Sequence, residues 1–428
     1  MKFSTYYLGC RVNQAEIESF EDKLVKLGFE LSKNGDANII IFNTCSVTNK
    51  AERESYRLIR RVFSSNPNST LFITGCIVPL NKSLINQVKE KIVGDNILLY
   101  DNIYVIPSTQ KDQIIEIIKQ KYPVNNVNNG KLTRFKYYVK VQDGCNHFCT
   151  FCIIPYTRGR SRSKRIEEVV QEIKQISQNI VSTPEIGCEI TLTGICLGEY
   201  GLDINTSLAK LLKTITLYIP DNARLRLSSM DIITLDEELI ETIANNNKIC
   251  KHLHLSLQSG SNKILSLMKR NYTFEEYLNI IEKLRNNILD LGLTTDIIVG
   301  FPGEDDKDFE QTVQAVKEAK FHRIHIFPFS FRPYTYAYNH YRNIKIDHQR
   351  VKEYEKILAS LSLRQSKEFI NSRINKCYDI LTEENGYGYT HNFIRVKTNI
   401  TGTPKYHKLL IKGIEEEKGN FAVAKAEA

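Results

Sequence analysis

The stretch Asp143-Gly144-Cys145-Asn146-His147-Phe148-Cys149-Thr150-Phe151-Cys152 decides how the rest of the chain is read. Its cysteines follow a C-x₃-C-x₂-C spacing, so one short loop reaches three corners of a [4Fe–4S] cube and leaves the fourth iron without a protein ligand. An iron left open in this way chelates the amino and carboxylate groups of S-adenosylmethionine (SAM) and passes an electron into its sulfonium. That chemistry belongs to the cofactor, and the protein positions it. Zinc sites instead close with four ligands, often as paired C-x₂-C units, and no partner pair lies near Cys145, Cys149 and Cys152. His147 reads as a loop residue rather than a ligand.

Around this loop the chain alternates strands with helices. Strands are expected at 137–142, 189–193, 224–228, 252–257, 294–299 and 323–327, six strand–helix units that predict a partial (β/α)6 barrel. In such barrels the active-site residues emerge at the C-terminal ends of the strands, and the cysteine loop follows the first strand. The polar or glycine residues at the other ends are therefore candidate SAM contacts: Thr193 and Gly194, Ser228, Gln258, and Val299 ahead of Gly300-Phe301-Pro302-Gly303-Glu304. Phe151, inside the loop, joins that set. The run Tyr156-Thr157-Arg158-Gly159-Arg160-Ser161-Arg162-Ser163-Lys164-Arg165 is a candidate RNA contact through Arg158, Arg160, Arg162 and Lys164, with a solvated charged face as the plainer alternative.

Before the loop the pattern is simpler. Near-continuous apolar strands at 3–9, 38–44 and 70–75 end at Cys10, Cys45 and Cys76, with helices expected at about 14–27 and 50–64. Such strands mean a parallel sheet covered on both faces, whose ligand crevice lies beyond the strands' carboxyl ends. Three cysteines at three successive strand ends point to a second cluster with three protein ligands, against the alternative of three core thiols. Asn13 and Asn43 flank them, as supports for the cluster or equally as a helix cap and a turn former. Cys188, Cys196, Cys250 and Cys377 have no fixed spacing and read as ordinary thiols.

The remaining segments set the boundaries. Residues 123–130 read as a linker, giving domains at 1–125, 133–365 and 372–428. A charged helix at 347–371 leads to short strands at 376–381, 388–397, 408–414 and 420–426, which predict a small antiparallel β-barrel. Arg395, on an aromatic-rich hairpin there, is a further candidate RNA contact. Hydrophobic residues make up 42% of the 428 positions and charged residues 25%, the balance of an ordinary globular chain, while a net charge of +9 suits a polyanionic partner. No apolar run approaches the ~18 residues of a membrane span. The opening residues run into a strand rather than a signal peptide, so no membrane association and a cytoplasmic location are expected. In that compartment ten cysteines serve ligation better than disulfides.

Together these residues resemble the radical SAM methylthiotransferases across essentially the whole chain. Three N-terminal cysteines, the C-x₃-C-x₂-C core continuing as Cys152-Ile153-Ile154-Pro155-Tyr156-Thr157-Arg158-Gly159-Arg160-Ser161-Arg162-Ser163, and a C-terminal segment like a TRAM domain match in order. Leu8-Gly9-Cys10-Arg11-Val12-Asn13-Gln14 and Asn43-Thr44-Cys45-Ser46-Val47-Thr48 look most like the branch acting on threonylcarbamoyladenosine in tRNA. Two departures are Ser256, where proline is common, and Lys164, where arginine is frequent. The resemblance implies an α/β enzyme with two [4Fe–4S] clusters and SAM, a tRNA anticodon stem-loop as partner, an electron donor such as flavodoxin or ferredoxin, a sulfur source, and a monomer. It implies addition of a methylthio group at carbon 2 of the modified adenine. The alternatives are the same chemistry on isopentenyladenosine-tRNA or a ribosomal protein aspartate, or a non-catalytic RNA-binding redox sensor.

Overall fold

The computed structural model describes residues 1–32, 36–78, 86, 89–90, 92, 101–123 and 132–427. The expected linker at 123–130 lies, from Val124 on, outside the described residues. The chain separates into two compact units: Met1–Thr133 with Asp143–Ser161 and Ser330–His340, and Arg134–Gln142 with Arg162–Phe329 and Tyr341–Ala428.

The first unit is built on a five-stranded sheet in the order β2–β1–β3–β4–β5, comprising β1 (Lys2–Tyr7), β2 (Glu30–Leu31), β3 (Ile39–Thr44), β4 (Thr70–Gly75) and β5 (Ile103–Val105). Every pair is parallel. Helices cover both faces, so β3 and β4 are buried along their whole length and show no polar alternation. On one face Ile17, Phe20 and Leu24 of helix Arg11–Lys26, with Ile114 and Ile118 of helix Gln113–Lys121, pack on Phe3, Ile39 and Ile41. On the other, Tyr56, Ile59 and Phe63 of helix Asn49–Ser65 pack on Ile40, Phe42 and Ile73. Thr48 starts that helix by accepting the Ala51 N–H, which satisfies one of its open donors. The sheet's carboxyl edge carries Cys10, Cys45 and Cys76.

The second unit contains six parallel strands in chain order: β6 (Lys136–Lys140), then, past the short β7 (Gln142–Asp143) and β8 (Arg162–Ser163), β9 (Cys188–Thr193), β10 (Ala223–Leu227), β11 (His252–His254), β12 (Gly292–Val299) and β13 (Arg323–Pro328). Pairing gives two parallel triplets, β6–β9–β10 and β11–β12–β13, joined by parallel bridges at Leu225–Ile249 and Met230–Leu255. The helix-side face holds the apolar residues, among them Val139, Ile190, Leu225, Leu253, Ile297 and Ile324. Alternation sends their neighbours to the opposite, lumen face, and these are mostly polar: Glu189, Arg226, His254, Thr294, Asp296 and His325. A lumen lined with charge is not what a layer-filled barrel needs.

Helix His348–Asn371, whose first turn is capped by Asp347, leads to five strands: β14 (Cys377–Thr382), β15 (Tyr387–Tyr389), β16 (Arg395–Lys397), β17 (Tyr406–Lys418) and β18 (Phe421–Glu427). They close in the order β14–β15–β16–β18–β17. Two expectations change here. The segment expected as one strand at 388–397 divides into β15 and β16, because Phe393 takes a left-handed turn. The closing pair β16–β18 is parallel, so the set is not wholly antiparallel.

Candidate active site

Glycines set the two outer cysteine corners of the first unit. Gly9 has φ +103°, and a Cβ there would lie 2.9 Å from the Cys45 sulfur. Gly75 has φ +99°, and a Cβ there would meet the Thr44 nitrogen at 2.4 Å. Both positions need a residue without a side chain, which lets β1 and β4 turn sharply into Cys10 and Cys76. All six motif cysteines are free. Burial pushes the Cys45 thiol up to about 12, and neighbouring Cys76 and Cys10 add to the shift. Cys152 is also pushed up by burial, with Cys149, Cys145 and Cys76 adding. The two cysteine groups, far apart in sequence, therefore lie close enough within this unit to influence one another electrostatically.

Arg158 joins them. Its side chain is 0% exposed. Its Nε donates to Cys76 Sγ at 3.4 Å, its Nη1 to Glu16 Oε1 at 3.0 Å and Asp143 Oδ1 at 2.9 Å, and its Nη2 to Asn13 Oδ1 at 2.5 Å. Lys111 also pairs with Glu16. Burial by itself would make Arg158 easier to deprotonate; Glu16, Asp143 and the thiols outweigh that and keep it charged. This corrects the expectation that Arg158 meets RNA, because a guanidinium enclosed by two carboxylates has no surface left for a phosphate. Its position in a basic run hid that role: the first-unit partner Glu16 lies 142 residues earlier.

Asn13 and Asn43 are buried members of the same network. Cys10 starts the first helix, so Asn13 does not cap it; its Nδ2 donates to Leu8 O and Thr44 O, tying β1 to β3. Asn43 Nδ2 donates to Asn13 O and to Glu16 Oε2 at 2.7 Å. From the segment Ser330–His340, Arg332 pairs with Glu52 and Asn49, and the Ala337 N–H donates to Thr150 O at 2.8 Å, which braces the Cys145–Cys152 loop. Arg332, Glu52, Asn49 and Ala337 carried no distinguishing signal in the sequence.

The candidate SAM contacts fall into two groups. Thr193, Gly194, Ser228 and Gln258 sit at the carboxyl ends of the second unit's strands. The Gly194 N–H donates to Ser228 Oγ at 3.3 Å, and Thr193 Oγ1 is buried with no hydrogen-bond partner among the described residues. Gln258 has φ +72°, and its backbone pairs with Asp296 and Ile298 while the side chain stays half-exposed. Val299, where a backbone contact is expected, has its side chain in the helix-side core, and its carbonyl accepts from Phe329 N–H. Phe151, in the first unit, is half-buried in the loop.

The other basic residues also differ in setting. The Arg160 guanidinium lies 4.4 Å from the Phe148 ring centroid, and Arg162 is exposed. Lys164 pairs with Glu172 at 2.6 Å. Arg395 stacks 4.5 Å over Tyr387.

Six free thiols in two groups of three suit two cube-type clusters, each with one open iron, and the orphaned Thr193 hydroxyl suits a polar cofactor nearby. Residues 139–316 match the Radical SAM superfamily and residues 2–95 match a family described as Uncharacterized protein family UPF0004. The chain is 33% identical to the threonylcarbamoyladenosine tRNA methylthiotransferase MtaB of Rickettsia prowazekii, over 95% of this chain and 94% of that one. The chain belongs to the radical SAM tRNA methylthiotransferases.

Other members of the family are similarly related: the MtaB enzyme of Aquifex aeolicus at 35% identity, covering 93% and 96% of the two chains, and the tRNA-2-methylthio-N6-dimethylallyladenosine synthase of Thermoanaerobacter pseudethanolicus at 35%, covering 84% and 78%. The fold resembles that of the radical SAM methyltransferase TsrM from Kitasatospora setae, with TM-score 0.55, 14% identity, and 79% and 77% of the chains covered. As a radical SAM methylthiotransferase the chain is an enzyme with SAM and [4Fe–4S] as cofactors. Among the described residues no helix is long and apolar enough to cross a membrane.

Proposed function

We propose that this enzyme converts N6-threonylcarbamoyladenosine beside the tRNA anticodon to its 2-methylthio derivative. The similarity to MtaB enzymes over 93–97% of the chain carries this reading. In it, Cys145, Cys149 and Cys152 hold the cluster that binds SAM, and Cys10, Cys45 and Cys76 hold the second. When bound, the SAM-binding cluster supplies the electron that cleaves SAM to a 5′-deoxyadenosyl radical. The protein's own share is positional. Thr193, Gly194, Ser228, Gln258 and Phe151 would orient SAM, and Arg158 would fix Cys76 against the segment that begins the SAM loop. In the net exchange the hydrogen at adenine carbon 2 would leave as part of 5′-deoxyadenosine, and a methylthio group, its sulfur from a separate sulfur source and its methyl from a second SAM, would take its place. A closed, dry site is required because water and stray thiols quench a carbon radical.

In the same reading residues 1–125 form the methylthiotransferase domain, 133–365 the radical SAM core, and 372–428 a TRAM domain. The first two segments overlap the matched families, and the closed five-strand set suits the third. Arg160, Arg162, Lys164 and Arg395 would meet the anticodon stem-loop, whose target base must be unstacked. A flavodoxin or ferredoxin would supply electrons to a cytoplasmic monomer. Similarity to dimethylallyladenosine synthases favours isopentenyladenosine-tRNA as the second substrate reading.

Nucleoside mass spectrometry decides between them. Protein reconstituted anaerobically with iron and sulfide is incubated with SAM, reductant and tRNA bearing either nucleoside. A methylthio product from the threonylcarbamoyl tRNA is expected, and Cys45→Ala should abolish it while 5′-deoxyadenosine continues to form. Product only from the isopentenyl tRNA would replace the proposed substrate.

A further inference from the structure

The lumen face of the second unit holds a cluster of two histidines, an aspartate and a serine. His254 Nε2 lies 3.1 Å from Asp296 Oδ2, and His325 Nδ1 lies 3.3 Å from Asp296 Oδ1. Ser256 Oγ donates to Asp296 Oδ2 at 3.1 Å. The other nitrogen of His254 is taken by Thr294 Oγ1 at 2.8 Å. One carboxylate on β12 thus orients two imidazoles, on the flanking β11 and β13, and the hydroxyl of Ser256 just past β11.

The cluster is partly open to solvent. The His325 and Asp296 side chains are 42% and 24% exposed, although both lie within strands whose helix-side neighbours Ile297 and Ile324 are wholly buried. Accessible charge inside a parallel strand array implies space on the lumen side. That space lies beside Gln258, whose backbone N–H donates to Asp296 O, towards the strand ends at which such barrels do their chemistry. His325 Nε2 has no hydrogen-bond partner among the described residues. It accepts a hydrogen bond when the ring is neutral and donates one when the ring is protonated.

Resting on the substrate class proposed above, we infer that His325, held by Asp296 with His254 and Ser256, recognises the polar N6 substituent of the target adenine. A threonylcarbamoyl group offers what this surface can pair with: ureido N–H groups, a hydroxyl and a carboxylate. An isopentenyl group offers none of these and would strip water from Asp296 and His325 without replacement, a penalty that discriminates far better than shape alone. Asp296 is a positioning residue, and the His325 Nε2 atom makes the contact.

The test uses full-length reconstituted protein and two synthetic anticodon stem-loops, one with threonylcarbamoyladenosine and one with isopentenyladenosine. His325→Phe should lower kcat/KM for the first by about 100-fold, mostly through KM, and narrow the preference over the second. His325→Gln, which keeps a polar tip, should recover much of that loss, and Asp296→Asn, of nearly the same shape, should fall between. Iron content and 5′-deoxyadenosine formation without RNA should match wild type in all three. Unchanged kcat/KM and preference in His325→Phe, with wild type active on the threonylcarbamoyl stem-loop, would overturn this inference alone. Wild-type turnover of only the isopentenyl stem-loop would overturn the substrate reading and the inference with it. A stoichiometric non-iron divalent ion lost on His325→Gln would make the cluster a metal site and also overturn the assignment.

Discussion

Each unit buries arginine, and the two networks do different work. In the first, Arg158 and Lys111 face Glu16 and Asp143, so the charges balance and the remaining guanidinium donor turns to the Cys76 sulfur. In the second, Arg224 and Arg226 share a single carboxylate, Glu189, and spend their surplus donors on the backbone carbonyls of Tyr389, Thr390 and His391. Burial alone would push Glu189 up; the two guanidiniums hold it far below the usual carboxylate range. The first network supports thiols, and the second fastens the closed C-terminal strand set to β9 and β10. A buried arginine is therefore informative only through its partners: sulfur marks chemistry, and loop carbonyls mark architecture.

Removing the shared carboxylate tests the second network most severely. Glu189→Leu leaves two buried guanidiniums without a counter-charge and should cost about 3–5 kcal/mol, read by chemical denaturation. A loss below about 1 kcal/mol would mean that the carbonyls alone satisfy both arginines.

Glu304 shows what a buried carboxylate does without such a partner. Burial pushes it up to about 7, and the Gly300 N–H at 2.5 Å only partly offsets that. A folded pKa above the ordinary value of 4.5 makes the stabilising contribution full below that value and lost as pH rises through about 7. Thermal unfolding should therefore show stability falling between about pH 4.5 and 7 by up to about 3 kcal/mol. Glu304→Gln should flatten that slope, and an unchanged slope would exclude Glu304 as its source.

Arg158→Lys keeps a charge and loses the fork, so the sulfur and the two carboxylates can no longer all be reached. Retention of the second cluster should drop about 10–100-fold, seen as iron content falling from two clusters towards one. 5′-Deoxyadenosine formation should persist, and full iron retention would reduce Arg158 to a purely structural ion pair. The smallest effect is expected at the surface. Arg162→Ala should weaken tRNA binding across sequences and lower the log–log salt slope by about 1, whereas a change in nucleoside preference would argue for a specific contact.

Local sequence determined what local chemistry can specify. The C-x₃-C-x₂-C spacing, the apolar strands ending at Cys10, Cys45 and Cys76, and the alternation from 137 to 327 depend on residues near one another in the chain, and the parallel sheets follow from them. Tertiary structure alone decided the rest. Arg158 looked like its cationic neighbours until burial placed it between Glu16 and Cys76, residues 142 and 82 positions away. His254, Asp296 and His325 lie on three separate strands and share no motif; only strand pairing brings their side chains to one face. Spacing can encode a ligand set held by a single loop. A charge's partner, and whether water reaches it, depend on distances in space that the order of residues does not contain.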